Sequence, residues 1–200
     1  MRGRGQDGFT LVEVMMAVSI LTVGALGIMA LQQASTRGNQ QAREMTTATE
    51  RSRVWLERIR RDSLRWTSSL ALDPTALQAT EYLRQLPAAG ATAWLAPASL
   101  DGLDAYGATY LGEDSSVAGE LHYCTHLRLS WVRPGDTARV EVRTFWRKRG
   151  DGTDSDFSDQ RLFLDCGASD PEAVTAELAA AVPRLRSVHV STILRWSPPG

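Results

Sequence analysis

Lysine is almost missing from this chain of 200 residues: Lys148 is the only one, and arginine supplies the remaining positive charge. That bias reads as a matter of coding, not of chemistry. Basic and acidic residues number 22 and 23, a net charge of -1, so there is no basic excess of the kind that holds nucleic acid. A phosphate-binding glycine loop, a nucleophile elbow and a paired histidine–carboxylate motif are all missing. No enzyme and no cofactor are expected. Cysteine is scarce, with only Cys124 and Cys166. Proline is absent from Gln32 to Thr67, and Gly38 is the only glycine there, so nothing in that stretch interrupts a helix.

What the chain does have is one long apolar run. Leu11 to Leu31 is broken only by Glu13, Ser19, Thr22, Gly24 and Gly27 among its non-aliphatic positions. As a helix it spans roughly 32 Å, enough to cross a bilayer core. Glu13 near its start is costly there, on the order of 3 kcal/mol, and so implies a partner. Arg2 and Arg4 lie close upstream, whereas Arg37 and Arg43 are further off downstream, which favours a cytoplasmic N-terminus. The chain has length for this helix and one globular domain outside the cytoplasm. Two rivals are a secretory signal cut near Ala25-Leu26-Gly27 and a plain anchor. Glu13 interrupts the apolar region of the first and is left unexplained by the second.

Gly8-Phe9-Thr10-Leu11-Val12-Glu13 resembles the processing site of type IV prepilins and pseudopilins. The resemblance covers the hexapeptide without departure and extends loosely to about Gln33. It implies that Gly8 ends a leader (residues 1–8) removed by a prepilin peptidase, leaving 20 basic and 22 acidic residues. It implies that Phe9 becomes a methylated N-terminus, and that Glu13 pairs with the terminal amine of a neighbouring subunit. A cation beside a carboxylate in low dielectric favours the ionised form, so the implied pairing has the right sign. Gly24-Ala25-Leu26-Gly27 is further similar to the PilV-type minor pilins. The implied protein is a minor pilin, held in the inner membrane with a periplasmic domain and then assembled with other pilins into a type IV pilus. A type II secretion pseudopilin and a filament-displayed adhesin or calcium-binding module are the alternatives.

The expected fold is α+β, a long N-terminal helix packed on a small antiparallel sheet. Residues 9–33 form its membrane or filament-core part, and residues 34–67 continue it as an amphipathic helix. One continuous helix from about Thr10 to Trp66 would be roughly 85 Å long. Met45, Ala48, Ser52, Trp55, Ile59 and Ser63 make the buried face, with Arg43, Glu44, Glu50, Arg51, Arg53, Glu57, Arg58 and Arg60 opposite. Residues 68–119 read as a variable loop region, with a short helix over Pro74 to Leu86 and a long connection over 87–119. The sheet domain is 120–200, beginning after Gly119. Its strands are Leu121–Val132 and Ala138–Trp146 around Arg133-Pro134-Gly135-Asp136-Thr137, with further strands at Phe157–Leu164 and Ser187–Trp196. Val140, Val142, Thr144 and Trp146 share one face, against Arg139, Glu141, Arg143 and Phe145. Asp170 caps a helix running to about Val182.

Cys124 and Cys166 form either one disulfide or two buried thiols. In an extracytoplasmic domain the disulfide is expected, and it would stabilise by about 4 kcal/mol in the chain-entropy model. His122, Cys124 and His126 would share a strand face, a spacing open to zinc. A disulfide cysteine between two surface histidines is the expected outcome. Asp151, Asp154, Asp156 and Asp159 cluster in an oxygen-rich loop and are weak calcium candidates, since the spacing does not match a calcium-binding helix–loop–helix.

Overall fold

The computed structural model describes residues 10–67, 74–96, 107–115, 121–148, 166, 170–181 and 183–196. It divides into two compact units, Met1–Arg43 and Glu44–Gly200. Helix α1, Leu11–Thr67, contributes to both.

Among the described residues the second unit carries an antiparallel sheet of five strands in the order β2-β1-β3-β4-β5. These are β1 Gly107–Ala108, β2 Asp114–Ser115, β3 Tyr123–Arg133, β4 Thr137–Arg147 and β5 Leu185–Arg195. The β3–β4 hairpin turns at Arg133-Pro134-Gly135-Asp136, where Gly135 takes φ +77°, a conformation that costs other residues a clash at Cβ. One sheet face carries Leu127, Leu129, Val140, Val142 and Leu194, which share a core with Trp55, Ile59 and Trp66 of α1. Ser52 Oγ meets Thr144 Oγ1 at 2.7 Å within this packing, so the buried hydroxyls have partners.

The helical stripe holds at Ala48, Ser52, Trp55, Ile59 and Ser63 as expected and departs from expectation at its start. Met45 is 58% exposed, whereas Glu44, expected on the polar face, is 4% exposed. Glu44 lies one turn before Ala48 on the same face, and its Oε2 accepts from Trp146 Nε1 at 3.1 Å. An indole donor therefore satisfies a carboxylate where the apolar pattern alone would put methionine.

The sheet begins before Gly119, not after it, since β1 and β2 precede that point. Two-residue strands carry no alternation to read: β1 is defined by its pairing with β3, and β2 by its pairing with β1. Part of the 87–119 connection also lies on the sheet: Leu95 and Leu127 exchange backbone hydrogen bonds of 2.8 Å, and Thr92 N–H donates to Leu129 at 2.8 Å. The helix expected over 74–86 stops as α2, Pro74–Gln78, and resumes as a single 3-10 turn, Leu83–Gln85. Asp62 of α1 explains the break by accepting from Glu81 N–H at 2.8 Å and Tyr82 N–H at 2.9 Å. Helix α3, Pro171–Leu178, ends short of Val182, with Asp170 Oδ1 accepting from Glu172 N–H at 2.9 Å as its N-cap. The strand expected at Phe157–Leu164 lies outside the described residues.

Trp55 is 2% exposed and meets Tyr82 edge-on at 6.0 Å, while its neighbour Val54 is 38% exposed. Trp55→Ala is expected to lower stability by about 3–5 kcal/mol in urea unfolding, against less than about 0.5 kcal/mol for Val54→Ala.

Candidate functional site

In the first unit Thr10 caps α1, its Oγ1 accepting from Glu13 N–H at 3.3 Å. The carboxylate of Glu13 therefore sits in the first helical turn, where the helix dipole favours negative charge. Around it, every large apolar side chain from Leu11 to Leu31 is at least half exposed, Val14 being the most covered at 51% exposure. The most apolar 18-residue window of α1 has mean hydropathy 2.3, and none of it is buried. By length and composition this helix is able to cross a membrane. Ser19 and Thr22 donate to the carbonyls of Met15 and Val18 at 2.8 and 2.7 Å, so their hydroxyls are satisfied within the helix. α1 runs unbroken through Gly24 and Gly27, and a side-chain carbon at either would meet nothing within 4 Å. Among the described residues, this exposed apolar surface around one acid is the feature most in need of a partner. Gly8 and Phe9 lie outside the described residues.

Residues 3–29 match the prokaryotic N-terminal methylation motif. The match takes in Gly8, Phe9 and Glu13 and ends within the apolar run. No curated protein and no solved structure matches the chain. The matched residues lie within the first unit.

On the sheet face away from α1, the chemistry is a buried cation. Arg143 and Phe145, on the face opposite Val140 and Val142 as expected, are 1% and 0% exposed because α3 covers that end of the sheet. Arg143 donates to Thr175 Oγ1 at 2.8 Å and to the Pro171 carbonyl at 2.9 Å, fastening α3 to β4. Its guanidinium lies 4.5 Å from the Trp94 ring centroid, a cation–π contact. Burial lowers its pKa to about 10, so it stays charged at neutral pH. His126 is fully buried, contrary to the surface position expected of it, and its Nδ1 lies 2.9 Å from Arg143 Nη2. An arginine only donates, so Nδ1 accepts and the imidazole is neutral. Burial first, and Arg143 second, push the His126 pKa down to about 3.

His122 does not join this pair. It precedes β3, where alternation is not yet imposed, and approaches Glu44 at 4.0 Å and the Tyr110 ring at 5.1 Å. Cys124 is bonded to Cys166, which removes it as a metal ligand. Among the described residues no three His, Cys, Asp or Glu side chains are placed to hold a metal ion. Asp151, Asp154, Asp156 and Asp159 lie outside those residues. Sequence reasoning missed Arg143, Glu44 and Asp114, which bridges Arg51 and Arg58 of α1, the latter at 2.7 Å. For Arg143 a signal existed: Phe145 and Cys124 share its face, and an exposed face would not carry them.

His126 makes stability depend on pH in a definite direction. The unfolded chain binds a proton near the ordinary value of 6.5, while the folded one resists until about 3. The stabilisation is therefore complete above 6.5 and is lost as pH falls from there toward 3, at a slope approaching about 1.4 kcal/mol per pH unit. Urea midpoints between pH 7 and 4 are expected to fall less steeply in His126→Gln than in the unchanged protein.

Proposed function

We propose that this chain is a type IV pilin-like minor subunit, most like the PilV type. In this reading prepilin peptidase cuts after Gly8, Phe9 becomes the methylated terminus, and residues 9–33 sit in the inner membrane and then in a filament core. Residues 34–67 continue the helix into a periplasmic domain, residues 68–200, whose surface decides which neighbours fit. The work is mechanical. Phe9 and Glu13 register one helix against the next, and other pilin or minor-pilin subunits cover the apolar surface.

The observation that carries this reading is the methylation motif over residues 3–29 leading into an uncovered apolar helix with a single carboxylate in its first turn. In a bilayer that carboxylate costs about 3 kcal/mol without a partner. A neighbour's terminal amine within about 4 Å offsets that cost and is strongest where water is excluded. Assembly is thus favoured where it neutralises a charge that lipid cannot. A type II secretion pseudopilin would use the same N-terminal arrangement, and the motif serves both readings.

Glu13→Val removes the charge and keeps the helix. Its expected effect is at least a tenfold loss from the sheared filament fraction, with the membrane-bound level within twofold of normal by immunoblot. Normal incorporation of Glu13→Val would refute the pairing mechanism.

A further inference from the structure

β1 and β2 are two residues each, yet the hairpin they form has a defined seat. Its tip presents Tyr110 and Leu111, 40% and 78% exposed. Gly107 and Ala108 pair with Cys124 and Tyr123 of β3, and His122 N–H donates to Ala108 at 2.7 Å. Asp114 is held between Arg51 and Arg58 of α1. Under β1 lies the disulfide. A Cβ added at Gly107 would stand 2.6 Å from Cys166 Sγ, 2.7 Å from Leu121 Cδ2 and 2.9 Å from the Tyr123 carbonyl. Strand and sulfur are therefore in contact with nothing between them. On its other sides the pair is enclosed by Phe145, Val174 and Leu185, each at most 1% exposed.

We propose that the Cys124–Cys166 bond is the condition for seating this hairpin, so that the Tyr110-Leu111 tip is held in place only in the oxidised protein. Two thiols stand further apart than two bonded sulfurs, and each carries a hydrogen. The extra room has to come from a neighbour. Phe145, Val174 and Leu185 belong to a close-packed cluster whose movement would open the sheet or lift α3. Among the described residues β1 has two residue pairs to β3, and it is the element that moves at least cost. Forming the bond removes two protons and two electrons from the thiols, and a disulfide-bearing oxidant takes them up as it becomes a dithiol. The device stands on contacts within the second unit and does not depend on the methylation motif.

Amide hydrogen exchange on the full chain in detergent tests this, comparing the disulfide form with the dithiol form refolded in reductant. The expected result is at least tenfold faster exchange at Thr109, Gly112 and His122 in the dithiol form, with Val140, Val142 and Val190 unchanged. Gly107→Ala, with the disulfide intact, is expected to loosen the same three amides by crowding the seat from the other side. Unchanged hairpin exchange in either preparation overturns the proposal. So does loss of protection across β3, β4 and β5 together in the dithiol form, which would make the bond a staple of the whole sheet.

Discussion

The interaction on which the second unit depends is the burial of one stripe of α1 against one face of the sheet. Trp55 and Ile59 share a core with Leu127, Val140 and Val142, and their near-complete removal from water is its largest favourable contribution. Other features follow from the place of that stripe. Asp62 faces the 80–86 segment and captures its amides, Ser52 reaches Thr144, and Arg51 and Arg58 lie at the stripe's flank where Asp114 meets them. A rotation of the helix by one position would break all of these together.

The two units bring opposite solutions to the same polymer problem. From Leu11 to Leu31 the helix is apolar on every side and covered on none, which suits lipid or other helices as solvent. From Glu44 onward the apolar residues narrow to a stripe, and the polar side chains either face water or find a partner within the fold. Glu13 and Glu44 mark the contrast. Glu44 is buried and bonded to Trp146, whereas Glu13 stands exposed in an apolar surround. One carboxylate is satisfied within the fold, and the other is the residue to which the proposal gives a role in assembly.

Much of the fold was legible because it rests on local periodicity. The three- and four-residue steps of α1, the alternation of β3, β4 and β5 and the proline–glycine turn each sit in a short window of sequence. What was not legible was set by distant partners. Glu44 displaced Met45 because Trp146 offers an indole proton, and β1 is a strand by virtue of its pairing with β3. Arg143 turned inward because α3 covers it, and Phe145 on the same strand face was the local sign of that cover. Of the candidate functional residues, Glu13 was visible at once, since a charge in an apolar run stands out by itself.

The central claim is that the N-terminal segment is a processed assembly helix. Intact mass and N-terminal sequencing of the membrane-extracted protein, from cells with and without prepilin peptidase, test it most directly. The account predicts loss of residues 1–8 and a methylated Phe9 only where the peptidase is present. A chain still beginning at Met1 in peptidase-bearing cells, or one cut near Gly27, would contradict it and leave Glu13 without its proposed partner.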